Sequence, residues 1–148
     1  MAHISGQIHI DAAPELVFDT VADSRNEPLF NPQMREVELL TPLPVGAGTR
    51  FLARMGKGES EMRVEIVDFD RPHRLHTRTA SSLMTTSGTL TFSPFRDGTL
   101  MAWDWQVRPK GWLRALGPVF GPIGNRVERG IWTGLKHHLK QSPPNSAA

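Results

Sequence analysis

The sequence predicts an α+β domain in which a curved antiparallel sheet of about seven strands wraps around one long C-terminal helix, with two short helices after the first strand. Two observations carry this reading. Hairpin registers worked out separately from their turns place Phe51, Val64, Leu90, Phe92, Met101, Trp103 and Trp105 on one face of a single sheet. The stretch from Trp112 to Gln141 then repeats apolar residues at three to four positions, the period of a helix with one greasy face.

Taken in order, His3 to Ile10 alternates with a period of two and reads as the first strand. Asp11-Ala12-Ala13-Pro14-Glu15 is a helix entry, with Asp11 as the capping acid and an early proline, and a helix over 14–21 follows. Pro28 and Pro32, around Leu29 and Phe30, limit the next stretch to a further helical turn or two. Val37 to Leu40 is a strand ending at Thr41-Pro42-Leu43-Pro44.

The meander can be registered. A two-residue loop at Lys57-Gly58 sets Phe51 opposite Val64, Ala53 opposite Met62, Arg54 opposite Glu61 and Arg50 opposite Glu65. Apolar meets apolar on one face, and opposite charges meet on the other; a slip of one residue would mix them. A turn at Arg71-Pro72 places Glu65 opposite Arg78 and Ile66 opposite Thr77, with Leu75, Thr77 and Thr79 pointing inward. A turn at Asp97-Gly98 places Phe92 opposite Trp103, Leu90 opposite Trp105 and Thr91 opposite Asp104. The link 81–87 has no clean turn signal. In the last segment the stripe is Leu116, Phe120, Val127, Ile131 and Leu135; Gly117-Pro118 and Gly121-Pro122 interrupt its start, so the regular helix begins at one of these prolines. Residues 1–141 form one domain, and 142–148 are expected to be a disordered tail.

Composition narrows the chemistry. Cysteine is absent, which excludes disulfides, thiolate metal sites and cysteine nucleophiles, and tyrosine is absent too. The start lacks the continuous apolar core of a secretory signal and no later run approaches a membrane span, so cytoplasmic residence without integral membrane association is expected. A net charge of +2 is slight. From Lys110 onward the chain carries six Lys and Arg against one acid, Glu128, which reads as a solvated helix face and not as a nucleic-acid surface. No histidine pair has metal-ligand spacing. The charged residues of the meander alternate to the outer face, and neither a catalytic residue, a metal nor a cofactor is assigned.

Several phrases resemble a known family. Ile8-His9-Ile10-Asp11-Ala12-Ala13-Pro14-Glu15-Leu16-Val17-Phe18, Glu27-Pro28-Leu29-Phe30-Asn31-Pro32, Val45-Gly46-Ala47-Gly48-Thr49-Arg50-Phe51 and Asp97-Gly98-Thr99 are similar, in order and over almost the whole chain, to those of the polyketide cyclase/dehydrase-like branch of the START-like (SRPBCC) helix-grip superfamily. Phe30 stands where that branch often has Trp before Asn-Pro. The resemblance implies a cavity between sheet and long helix that in different members carries lipids, binds hormones or cyclises polyketides.

The reading that follows is a monomeric or homodimeric protein that binds or transports a small to medium hydrophobic molecule, a lipid, isoprenoid or polyketide. The residues expected to line its site are Phe30, Phe51, Ala53, Met55, Met62, Val64, Thr77, Thr79, Leu90, Phe92, Met101, Trp103, Trp105, Phe120, Ile123 and Val127. Entry is expected near Phe30 and the Gly-Pro stretch. The alternative is a polyketide cyclase, aromatase or dehydratase, which needs an inward acid or base; the strand registers supply none.

Overall fold

In the computed structural model, which describes residues 2–56 and 60–141 apart from the side chains of 112, 113, 116–120 and 141, the strands are β1 (Ala2–Ile10), β2 (Met34–Leu39), β3 (Arg50–Met55), β4 (Ser60–Asp70), β5 (Arg74–Ser81), β6 (Met84–Phe95) and β7 (Gly98–Pro109). All pairs are antiparallel, in the order β1-β7-β6-β5-β4-β3-β2. The first strand thus closes onto the last, and β1 and β2, neighbours in sequence, lie at opposite edges. The chain between them crosses the concave face as helix α1 (Pro14–Ala22) and a 3-10 turn, Ser24–Leu29. A second 3-10 turn, Gly111–Leu116, leads into helix α2 (Gly117–Gln141), which packs on β1. The helix does begin at the first Gly-Pro pair, with Pro122 inside it.

The β3–β4 pairing follows the predicted register, Arg50↔Glu65 through Arg54↔Glu61; the Lys57-Gly58 loop itself lies outside the described residues. At β4–β5 the expected partners Glu65↔Arg78 and Ile66↔Thr77 are also present, though by a different route. The turn holds three residues, since Asp70 pairs with Arg74, and a bulge between Ile66 and Asp68 restores the register by one residue.

The β6–β7 register needs correction. Phe92 pairs with Met101, Leu90 with Trp103 and Thr91 with Ala102, two residues from the expected partners. The loop is Arg96-Asp97, with Arg96 at φ 55°, and Gly98 is the first strand residue. A Cβ on Gly98 would overlap the Ile10 carbonyl oxygen, so this glycine serves the close approach of β1 rather than the turn. A two-residue slip leaves every side chain on its predicted face. Phe51, Val64, Leu90, Phe92, Met101, Trp103 and Trp105 are all buried.

The outer face carries the expected charge ladder. Arg54 reaches Glu36 at 3.0 Å and Glu61 at 3.8 Å, and Arg78 reaches Glu65 at 3.6 Å. Asp104, on the same face, pairs with His3. The helix entry also differs from expectation, because Ala13 occupies the N-cap with no side-chain cap and Asp11 lies beside His9 instead. Pro14 at the first helical position and the buried Thr99 hydroxyl, which donates to the Ala12 carbonyl at 2.7 Å, fix the entry.

Glycines set how closely the layers meet. Gly6 on β1 faces Trp103, and a Cβ there would overlap the indole; Gly88 on β6 likewise makes room for Trp105, whose ring would lie 2.7 Å from such a Cβ. Gly124 brings α2 down onto Ile4, and Gly134 brings it onto the Phe30 carbonyl.

Candidate functional site

The concave face has a sealed end and a less sealed one. Phe18 of α1 sits edge-on to Phe69 and Phe92, with ring centroids 5.1 and 5.2 Å apart, and Ile66 and Leu75 complete a closed wall. Toward the other end of β4, β5 and β6 the inward positions Met62, Thr77, Thr79, Met84 and Thr86 are only half-buried. α1 therefore shares in covering the sheet, a task the sequence reading gave to the C-terminal helix alone.

Between these ends lies an aromatic group drawn from three elements. Trp132 of α2 lies 6.2 Å from Phe30 and 6.4 Å from Trp103, centroid to centroid, with the rings tilted. The Arg129 guanidinium stands over the Trp103 ring at 5.7 Å. Trp103 and Trp105 are 2 % and 7 % exposed, yet neither indole Nε1 has a hydrogen-bond partner.

Two carboxyl groups enter this apolar setting. Glu128 is one helical turn before Trp132 and accepts its indole N–H at 2.7 Å. Burial pushes the Glu128 pKa up to about 7, against the opposing influence of the Trp132 and Trp105 indoles, and the nearby Glu27 carboxyl pushes it further. Glu27, in the Ser24–Leu29 turn, is also raised by burial, opposed by the Asn31 amide that donates to it at 2.9 Å. Asn31 is itself buried, and its Oδ1 accepts the Gln33 N–H. Asn125, one turn before Glu128 on α2, has a buried Oδ1 without a partner.

These acids correct the sequence reading, which found none facing inward and gave Glu128 to a solvated face. The stripe chosen on α2 was rotated. Its inward face runs through Gly124 and Glu128, half-buried, to Trp132, Leu135 and Leu139, buried, whereas Ile123 and Val127, expected to line the site, are 56 % and 44 % exposed. Val127 is one residue, or about 100°, around the helix from Glu128. The Phe120 side chain lies outside the described residues.

The other expected lining residues fall on the concave side. Phe30, Phe51, Ala53, Val64, Leu90, Phe92, Met101, Trp103 and Trp105 are buried, and Met55, Met62, Thr77 and Thr79 half-buried. Spacing would have found the acid: Gly124, Glu128, Trp132, Leu135 and Leu139 recur at three to four residues, but a glycine and a glutamate add nothing to an apolar count.

A separate depression of about 600 Å³ on the convex face is bordered by His76, Arg78, Ser87, Thr89, Asp104 and Arg108. Its histidine is tied to the Ser87 and Thr89 hydroxyls, and Arg78 and Asp104 are paired as described above. It is a solvated groove between rows of short polar side chains. Among the described residues no cluster of three or more His, Asp or Glu has metal-binding geometry, and no helix is long and apolar enough to cross a membrane.

Solved structures share this architecture. A protein from Thermus thermophilus superposes with a TM-score of 0.76 at 17 % identity, covering 95 % of this chain and 99 % of that one. A conserved protein from Geobacillus kaustophilus gives 0.76 at 14 % identity, covering 95 % and 96 %. A START superfamily protein from Mycobacterium smegmatis gives 0.71 at 17 % identity, again covering 95 % and 96 %. At these identities the likeness concerns the helix-grip fold alone. No curated protein matches the sequence. The model of one family, described as polyketide cyclase / dehydrase and lipid transport, matches residues 1–140, and the chain therefore belongs to that family.

Proposed function

We propose that this protein binds a small to medium hydrophobic molecule between the concave face of the sheet and α2. The observation that carries this reading is the gradient of burial along that face. Phe18 plugs one end, and the strip through Met62, Thr77, Thr79 and Met84 stays half-buried at the other, with Trp103 and Trp105 at its floor. Methionine and indole surfaces adapt to guests of differing outline. A guest covering ~300 Å² of apolar surface would gain on the order of 7 kcal/mol at about 25 cal/mol per Å². Immobilisation offsets several kcal/mol of this, which leaves micromolar to millimolar affinity unless a polar contact adds to it. Entry is assigned to that half-buried end, beside which β7 leaves the sheet at Pro109, opposite Met84, toward the Gly-Pro stretch; Phe30, buried beneath α2, belongs to the wall. Native mass spectrometry of the purified protein, before and after organic extraction and re-exposure to apolar compounds, tests the reading. Adducts removed by extraction and regained on re-exposure support it; a protein that never carries or takes up such a compound refutes it.

A second reading, acid–base catalysis on a polyketide-like ketone, is favoured by one observation, the buried Glu128 whose pKa near 7 suits proton transfer at neutral pH. In its ionised form Glu128 would take an α-proton from a ketone, and an unpartnered indole N–H of Trp103 or Trp105 would donate a hydrogen bond to the enolate oxygen that forms. Exchange of the α-hydrogens of 2-tetralone in heavy water, compared for the wild type and Glu128→Gln, is the discriminating assay. Acceleration lost in the variant supports catalysis, and exchange at the solvent rate with wild type excludes it for this class of ketone.

A further inference from the structure

Four observations concern the interface between the concave face and α2, where the Trp103 and Trp132 rings lie 6.4 Å apart. The Trp105 indole N–H faces the Glu128 carboxyl closely enough to influence its ionisation, yet makes no hydrogen bond of ordinary geometry and is fully buried. The Trp103 N–H is a second buried donor without a partner. Glu128 has one oxygen bound to Trp132, and Glu27 faces it from the other side of the interface. Asn125 adds an unpartnered buried acceptor on the same stripe of α2. Buried donors and acceptors left unmade are costly, and a set of both kinds along one interface is served by a group that gives one hydrogen bond and takes another.

We propose that Glu128, Glu27 and the indole N–H groups of Trp103 and Trp105 form a polar anchor for the hydroxyl group of an otherwise apolar, uncharged ligand. A hydroxyl oxygen accepts an indole N–H while its O–H donates to a carboxyl. A ligand carboxylate or phosphate brings no proton to donate and sets a full negative charge beside Glu128 in an apolar site. An ammonium donates to the acids and leaves the indoles unsatisfied, and an ether cannot donate at all. This inference rests on the apolar-ligand reading and narrows it to hydroxylated molecules, against fatty-acid anions and phospholipids.

Isothermal titration with four matched probes tests it: 2-naphthol, 2-methoxynaphthalene, 2-naphthoate and 2-naphthylmethylamine at neutral pH, against wild type, Glu128→Gln and Trp105→Phe. Glu128→Gln keeps an acceptor for Trp132 and removes a buried charge, so its fold should survive. The expected result is 2-naphthol binding about tenfold or more tightly than the methyl ether, as for a hydrogen bond to an ionisable partner, with the naphthoate weakest. The preference for naphthol over ether should shrink at least severalfold in Glu128→Gln and in Trp105→Phe. The inference falls if all four probes bind wild type alike, if the naphthoate or the amine binds tightest, or if both variants keep the wild-type preference. If none binds, the apolar-ligand reading falls with it.

Discussion

Replacing Glu128 by glutamine should stabilise the protein in mild alkali and leave it nearly unchanged in acid. In the unfolded chain this carboxyl has the ordinary value of 4.5, and in the folded protein it is pushed up to about 7. Folding therefore takes up a proton in this interval, and stability falls as the pH rises through it. Below about pH 4.5 both states are protonated and the group costs nothing. Above about pH 7 both are ionised, and the folded state bears the full penalty of a buried charge. At 1.36 kcal/mol per unit, a shift of roughly 2.5 units corresponds to about 3 kcal/mol. The glutamine keeps an oxygen for the Trp132 N–H, so the penalty is removed and the hydrogen bond is not. Glu27 is present in both proteins; because the two carboxyls repel each other, loss of the Glu128 charge also eases the ionisation of Glu27 and adds to the variant's gain in alkali. Urea unfolding followed by tryptophan fluorescence at pH 4.5 and pH 8 measures the difference directly. With a slope of about 1–3 kcal/mol per molar, the variant's midpoint at pH 8 should exceed that of wild type by roughly 1–3 M. A variant no more stable than wild type at pH 8, or a gain of equal size at both pH values, would show that Glu128 does not ionise in a buried site.

Other substitutions test the packing. Gly130→Ala, with open space at its Cβ, should raise stability by about 0.5–1 kcal/mol, and Gly134→Ala, whose Cβ would overlap the Phe30 carbonyl, should lower it by about 1–3 kcal/mol in thermal or denaturant unfolding. Phe18→Ala should cost about 3–5 kcal/mol because it opens the sealed end between Phe69 and Phe92. Arg54→Ala, on the exposed charge ladder, should change unfolding free energy by less than about 1 kcal/mol. Asn31→Leu should lower stability by about 1–3 kcal/mol, since it removes the amide that donates to Glu27 and the oxygen that accepts the Gln33 N–H; an unchanged midpoint in urea unfolding would contradict that role.

The sheet was legible because strand alternation is a parity rule. The β6–β7 turn was placed one residue away from its position, which moves the register by two, and the β4–β5 turn was one residue short, yet every inward side chain came out inward. The first error preserves parity, and in the second the bulge after Ile66 cancels the extra turn residue. The site was much less legible. Glu27 lies just before Pro28 in a turn whose direction depends on how the chain crosses from one edge strand to the other, which no local pattern encodes. Glu128 was hidden by the habit of giving charged residues to solvent. Its inward placement depends on Gly124 and Gly134 pressing α2 against Ile4 and Phe30, contacts made by the absence of a side chain.

An apolar guest bound between the concave sheet and α2 would lie against the Trp103 and Trp105 indoles. The indole N–H resonances of 15N-labelled protein, assigned by single tryptophan substitutions and titrated with 2-naphthol, test it most directly. Saturable shifts of the Trp103 and Trp105 signals, with the amides of outer-face Arg54 and Arg78 unmoved, are the predicted result. Indole signals that stay fixed while outer-face amides shift, or no saturable change anywhere, would contradict it.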